Sequence, residues 1–277
     1  MSLGPFDLTG GPFLTLYGIL LVLTVIAGFI IPGWLRPDGR TARLTDPEKL
    51  AFLAGGTPRF VDAVISRLLA SDAMSLVGKK DFVAARNATG NTLAERRVLA
   101  AAAGGSAGVQ GIAHALEPQA EAIEREMVAL GLYMDNGLTM QMRLWQTAPY
   151  LVLVAFGAIK VVIGEARERP VGFLVGFLML TLFLAAIRFF LVDRRTRGAI
   201  ELLAGARDRA ERLKRAATPD ETDLAVALFG TAVLAGSPWS AYHTMRSASS
   251  DAGSAGGCSG GGGGGGVGGG GCGGCGS

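Results

Sequence analysis

All three cysteines of this 277-residue chain, Cys258, Cys272 and Cys275, lie within its last 22 residues. Sixteen of those 22 residues are glycine, so the segment has almost no apolar surface to bury and nothing offsets the entropy of ordering its backbone. This composition predicts a disordered Gly/Cys-rich tail over residues 253–277. Because thiolates are nucleophiles and metal ligands, any chemistry of the tail is sulfur chemistry.

The spacing of the tail cysteines leaves two chemical alternatives open. Cys272 and Cys275 have the two-residue separation found in zinc knuckles, and Cys258 with His243 would complete a Cys₃His set. Polyglycine lacks the apolar and turn residues that fold around a metal ion, which weighs against an intrinsic metal site. Cys258, Cys272 and Cys275 therefore remain candidate modification sites or thiol ligands, and no metal or other cofactor is predicted.

The rest of the chain shows no catalytic motif. There is no nucleophile elbow, no phosphate-binding glycine loop followed by lysine and no HExxH sequence. His114, in GIAHALEP, has no cysteine or second histidine near it, which is typical of a surface or core histidine rather than a ligand. We therefore expect a non-enzymatic protein.

Hydropathy indicates a membrane protein, because 49% of the residues are hydrophobic and they are clustered. After an N-terminal segment (1–12), three runs are long and apolar enough to cross a bilayer. These predicted transmembrane helices cover residues 13–31, 147–163 and 171–192. A fourth run, 224–236, is too short and favours a buried or interfacial helix.

Basic residues near the runs predict the orientation. None precedes the first run, whereas Arg36, Arg40 and Arg43 follow it closely. Arg194 and Arg195 follow the third run. The chain is therefore expected in a multi-pass topology with its N-terminus outside, and with residues 44–143, residues 194–247 and the C-terminus in the cytoplasm. A cytoplasmic location would keep the cysteines reduced.

Residues 44–143 predict a cytoplasmic α+β domain built as two related modules. In the first, helices begin near Thr45 and Thr57, with a break at Gly55-Gly56, and SLVGKKDFVA predicts a β-hairpin. In the second, a capping box at Thr92 starts a helical stretch, and LYMDNGLTM predicts another hairpin around Asn136-Gly137. Helices followed by a hairpin, twice, suggest tandem winged-helix-like modules.

Charge argues against nucleic acid as a partner of this domain. Residues 44–143 contain ten basic and eleven acidic side chains, and the late helix of the second module is acidic. Such a face repels phosphates, so a protein contact or a purely structural role is expected. After the third run, residues 194–217 predict a charged helix that packs on this domain, with a short coiled-coil seam as the alternative.

The order of these pieces resembles an uncharacterised family of bacterial membrane proteins that has an LAGG-type cytoplasmic domain, a membrane hairpin and a Gly/Cys-rich C-terminal tail. The matching pieces are DPEKLAFLAGGTPR (46–59), the second and third apolar runs, AVALFGTAVLAG (225–236) and the tail. The resemblance implies the bacterial inner membrane and no assigned activity. It also implies that the tail is a substrate for a thiol-modifying enzyme.

Three functions follow as hypotheses. The first is a membrane-anchored protein that presents its Cys-bearing tail as a substrate or docking segment for a partner. The second is a metal-handling or redox-sensing membrane protein that uses the tail cysteines. The third is a structural membrane protein whose tail is only a tether. The partners expected are the lipid bilayer and a tail-modifying enzyme, without nucleic acid, and the sequence gives no oligomeric state.

Overall fold

The computed structural model describes residues 10–40, 43–78, 80–166, 172–215 and 217–254. It is mainly helical, at 75%, with one small sheet. In chain order the elements are α1 (Gly10–Leu35), α2 (Pro47–Ala70), β1 (Met74–Val77), β2 (Asp81–Ala84), α3 (Leu93–Ala103), β3 (Ala107–Gly108), α4 (Val109–Ala129), α5 (Asn136–Ala166), α6 (Gly172–Phe190), α7 (Arg197–Arg209), α8 (Thr222–Phe229) and α9 (Ser240–Ser254). Short 3-10 turns join α7 to α8 and α8 to α9.

Three helices, α1, α5 and α6, are long and apolar enough to cross a membrane. They correspond to the three runs predicted from hydropathy and pack together as an apolar bundle. A hydrogen bond of 3.0 Å between the buried Tyr17 hydroxyl and Thr181 links α1 to α6. Gly157 of α5 allows this close packing, because a Cβ there would lie 2.8 Å from the Tyr17 ring.

The ends of the bundle helices that face the remaining elements meet in one junction, formed by residues 36–40, 131–135 and 191–197. The Arg197 amide donates to the Pro37 carbonyl at 3.1 Å, and the Met134 amide donates to the Arg194 carbonyl at 2.8 Å. The end of α1, the start of α5 and the end of α6 therefore lie on the same side of the bundle. This arrangement is the one that a three-pass topology requires.

Beyond the junction, residues 43–135 and 191–254 build one soluble domain around one core. From the sequence, residues 44–143 and the helices of residues 194–247 were predicted as separate parts. In the structure α8 packs against α2, and α7 and α9 complete the same core. Burying each of its large apolar side chains contributes about 1.5–3 kcal/mol. The largest of them, from both parts of the chain, are Leu53, Phe60, Ile65, Leu68, Phe82, Ile112, Leu116, Met127, Leu132 and Tyr242.

The first predicted hairpin is confirmed as β1 and β2, which pair antiparallel from Met74–Ala84 to Val77–Asp81. A two-residue strand, β3, adds to β2 and completes a three-stranded sheet in the order β1-β2-β3. The break predicted at Gly55-Gly56 is also present: both glycines have non-helical dihedral angles inside α2, and Gly56 has φ +67°. The helix predicted over 194–217 is present as α7 but ends at Arg209, and its side chains Ala199, Leu203 and Ala206 are buried in the core, as expected of a helix packed on the domain.

The second predicted hairpin, around Asn136-Gly137, is wrong. The Asp135 carboxylate accepts a hydrogen bond from the Gly137 amide at 3.3 Å, and the chain enters α5 at Asn136. The preceding residues pair with a distant segment instead, through an isolated bridge between Tyr133 and Arg195. The plan of two repeated helix–hairpin modules is therefore not found, and a winged-helix likeness stays a prediction for the first module alone.

Candidate functional site

The candidate thiols, Cys258, Cys272 and Cys275, lie outside the described residues. The last described element is α9, which ends at Ser254, two residues inside the segment predicted as tail. Its sequence, SAYHTMRSASSDAGS, is rich in serine and has few strong helix formers. A helix of this kind depends on tertiary contacts for its stability. What fixes α9 therefore also fixes the point from which the tail begins.

A buried polar cluster joins α9 to α2. The Tyr242 hydroxyl donates to Asp62 Oδ1 at 2.6 Å, and Arg246 Nε lies 2.7 Å from the same oxygen. The Arg246 Nη2 group donates to the other carboxylate oxygen at 3.2 Å. Tyr242 is 1% exposed and Asp62 is 7% exposed, so both are removed from water. Burial and the neighbouring Asp62 carboxylate together raise the pKa of Tyr242 well above its ordinary value, which keeps the phenol protonated as a donor.

An aromatic contact supports the cluster from the sheet. The Phe82 ring of β2 meets the Tyr242 ring edge to face, with ring centroids 5.8 Å apart. This geometry is favourable for aromatic pairs. The beginning of α9 is thus held by α2 on one side and by the hairpin on the other.

Beside this cluster lies an open cavity of about 500 Å³, which we call the basic cleft. It lies between α2, the end of α8 and the first turns of α9. In the cleft, His243 Nδ1 lies 3.3 Å from the Thr231 hydroxyl. The lining side chains are mostly polar or cationic: Arg59, Asp62, Phe229, Gly230, Thr231, Ala232, His243, Arg246, Ser247 and Ser249.

Two glycines, Gly55 and Gly230, leave the space that the Arg59 side chain occupies. A Cβ at Gly55 would lie 2.7 Å from the Arg59 Cβ, and a Cβ at Gly230 would lie 2.8 Å from Arg59 Nη1. Gly230 also has φ +88°, a conformation that favours glycine. The glycines of the LAGG and VALFG segments therefore hold one arginine between them. Arg59 Nη1 donates to the Val226 carbonyl at 3.3 Å.

Two further arginines lie near Arg59 and donate to carbonyls at helix ends. Arg195 donates to the Ala54 carbonyl at 2.6 Å, where α2 breaks, and Arg207 donates to the Leu228 carbonyl at 3.0 Å, at the end of α8. Carbonyls at helix ends lack intrahelical partners and carry partial negative charge, so arginine stabilises them. Burial lowers the pKa of Arg59; Asp62 opposes this, and the nearby Arg207, Arg195 and Arg246 add to it.

A second buried polar cluster fixes α8 and α3 on α2. The Arg67 guanidinium lies 2.9 Å from Glu95 and 2.9 Å from Asp223. Glu95 also closes the capping box with Thr92, as the sequence predicted. The Glu95 and Asp223 side chains are almost fully buried, and their ion pairs with Arg67 offset part of the cost of burying two carboxylates. These contacts position the wall of the basic cleft rather than enter it.

The two histidines have different surroundings. His114 is exposed and lies 3.2 Å from Glu117 on the same helix, as expected for a surface histidine. His243 lines the basic cleft, but its proposed cysteine partners lie outside the described residues. Among the residues that the structure describes, no group of three His, Cys, Asp or Glu side chains is arranged to hold a metal ion.

Sequence reasoning missed the Asp62–Tyr242–Arg246 cluster and the basic cleft. Their members lie up to 184 residues apart in the chain. The one local signal was Asp62 itself, an acid within the apolar second half of α2. Comparisons with family models, with curated proteins and with solved structures gave no match to this chain.

Proposed function

We propose that the protein is a non-enzymatic membrane anchor that presents its C-terminal cysteines to a partner, which modifies the thiols or docks on them. The observation that carries this proposal is the attachment of α9. A serine-rich helix that leads directly into the cysteine segment is held to the domain by a buried carboxylate, a buried tyrosine and an arginine. Buried polar clusters of this kind fix one arrangement strongly, because breaking them leaves unpaired groups. The first tail cysteine follows α9 after only three residues.

We also propose that the apolar bundle crosses a bacterial inner membrane, with the N-terminus outside and the soluble domain and C-terminus in the cytoplasm. Two observations support this. The three bundle ends that carry the soluble domain lie on one side, and Arg36, Arg194, Arg195 and Arg197 are gathered at that junction. Such a concentration of basic residues is typical of the cytoplasmic side.

The soluble domain, in this proposal, contacts protein and not nucleic acid. A second cavity, of about 410 Å³, is lined by Glu121, Glu124 and Asp135, with Arg125 and Arg194 beside them. Arg194 pairs with Glu124 at 2.6 Å, so this surface keeps an acidic excess. An acidic surface repels a phosphate backbone.

The proposed presentation is tested by intact-mass analysis of the C-terminal fragment released from protein isolated from its native host. We expect at least one of Cys258, Cys272 and Cys275 to carry a covalent adduct. A variant with all three replaced by serine should insert and fold normally but lose the adduct and the associated phenotype. Three unmodified thiols, together with a normal phenotype for the triple-serine variant, would refute the proposal.

A second variant tests whether the fixed position of α9, and not only the presence of the thiols, is needed for modification. Asp62→Ala keeps every cysteine but releases α9 from α2. If the fixed position of α9 matters, the fraction of modified protein should fall several-fold at equal protein level. Glu201→Ala, which removes an exposed carboxylate on α7, is the matched control and should leave that fraction unchanged. A zinc ion bound stoichiometrically by the native protein and lost in the triple-serine variant would instead favour the metal-handling alternative.

A further inference from the structure

The basic cleft combines cationic groups with a supply of hydrogen-bond donors. Arg59 and Arg246 both line it, and Arg207 and Arg195 lie close enough to Arg59 to lower its pKa electrostatically. Among the described side chains that line the cleft, Asp62 is the one carboxylate, and both of its oxygens already accept hydrogen bonds from Tyr242 and Arg246. The cleft therefore keeps a positive excess.

Arg59 can bind a ligand in addition to the contact that it makes within the fold. A guanidinium has five N–H donors, and the structure assigns one of them to the Val226 carbonyl. The side chain is packed against Gly55 and Gly230, so it is ordered before any ligand arrives. An ordered, partly desolvated guanidinium binds an oxyanion more strongly than a mobile surface arginine does, because less conformational entropy is lost.

The Thr231–His243 pair supplies a neutral donor in the same cleft. Thr231 and His243 lie within hydrogen-bond distance of each other, from the turn after α8 and from the first turn of α9. Because one of the two donates to the other, the neutral pair offers a ligand one further donor, either the Thr231 O–H or the His243 Nε2–H. Such a donor beside two guanidinium groups is suited to tetrahedral or planar oxyanions. The volume of about 500 Å³ accommodates a phosphate group with its substituent.

We infer that the basic cleft is a binding site for a phosphate group, with Arg59 and Arg246 as its cationic ligands and the hydrogen-bonded Thr231–His243 pair as its neutral donor. The phosphate belongs either to a soluble phosphorylated molecule or to an anionic lipid headgroup. Because α9 forms one wall, an occupied cleft would stabilise the docked position of α9. This inference does not depend on modification of the cysteines.

The inference is tested by calorimetric titration of the full-length protein, in nanodiscs of phosphatidylcholine, with inorganic phosphate at constant ionic strength. We expect saturable binding. Arg59→Gln should raise the Kd by about tenfold or more, because a charge-assisted contact is lost. Thr231→Val and His243→Gln, which leave the Arg59–Val226 contact in place, should each raise it severalfold. Arg86→Gln, which removes an exposed arginine outside the cleft, is the control and should leave the Kd unchanged.

A second arm identifies the source of the phosphate. Nanodiscs that contain phosphatidylglycerol should raise the apparent Kd for inorganic phosphate if a lipid headgroup occupies the cleft, and Thr231→Val should reduce that competition. An unchanged Kd assigns the cleft to a soluble phosphate compound. Absence of saturable phosphate binding in the wild-type protein, or an equal Kd for wild type, Thr231→Val and His243→Gln, would overturn the inference. Because cysteine modification is measured separately, this failure would leave the proposed function standing.

Discussion

Removal of the Asp62 carboxylate should release α9 while the rest of the soluble domain stays folded. In Asp62→Ala the Tyr242 hydroxyl loses its acceptor, and an unsatisfied buried donor costs about 1–3 kcal/mol. Arg246 loses its counter-charge; breaking a fully buried pair costs about 3–5 kcal/mol, but the Arg246 side chain is 24% exposed and water can partly solvate it. We therefore expect α9 docking to weaken by about 3 kcal/mol.

Amide hydrogen exchange measures this docking directly. In the regime where opening is at equilibrium, about 3 kcal/mol corresponds to exchange about 150-fold faster for the α9 amides. The amides of α2 and α4 should change much less, because the core on their other faces remains. Asp62→Asn keeps an acceptor for Tyr242 but removes the charge, so it should give an intermediate acceleration.

The reasoning fails if α9 amides exchange at equal rates in wild type and Asp62→Ala. It also fails if every helix accelerates together, because the cluster would then support the whole domain and not α9 in particular. Glu201→Ala, an exposed substitution, should stay within about 0.5 kcal/mol of wild type at all α9 amides.

Three further predictions concern pH, backbone and topology. The pKa of Tyr242 is raised in the folded protein. Its contribution to stability is therefore present below the unfolded tyrosine pKa of about 10 and is lost as pH rises through the folded pKa. Tyr242→Phe should show a smaller loss of unfolding free energy across that alkaline range. Chemical denaturation should show that Gly56→Ala destabilises the protein by about 2 kcal/mol, because φ +67° strains any other residue. Gly104→Ala is the control and should leave the stability unchanged, because nothing lies within 4 Å of the added Cβ. In a variant whose three tail cysteines are serine, Ser75→Cys should resist an impermeant maleimide in whole cells and Glu168→Cys should react. Labelling at Ser75 would contradict the proposed orientation. Ser75 is exposed on β1, so a failure to react there reports on the membrane and not on burial.

The sequence predicted those parts of the fold that depend on neighbouring residues. Hydropathy found α1, α5 and α6, because a run of apolar residues is a local property. The capping box at Thr92 and the break at Gly55-Gly56 were also predicted, since each depends on side chains or dihedral angles within one turn.

Predictions that depended on distant partners were wrong or absent. Asn136-Gly137 has the composition of a tight turn, but Asp135 caps a helix there and residues 132–134 find their backbone partners at 194–196. The pairing of Asp62 with Arg246 joins α2 to a helix 184 residues later, and no local pattern at either position points to the other. The candidate site is therefore a product of tertiary packing, whereas the candidate thiols were found from composition alone.

The soluble domain is discontinuous, and this has a consequence for biosynthesis. Its core needs α7, α8 and α9, yet these leave the ribosome only after α5 and α6 have been made. Until then, the apolar face of α2 that later receives α8 has no partner from the chain itself. In the proposed topology, integration of the α5–α6 hairpin should thus come before maturation of the domain, and a delay at that step would leave α2 open to chaperones and proteases. Helix α9 is the last helix made before the cysteines, so under the proposed function the thiols would be displayed only on chains whose insertion is complete.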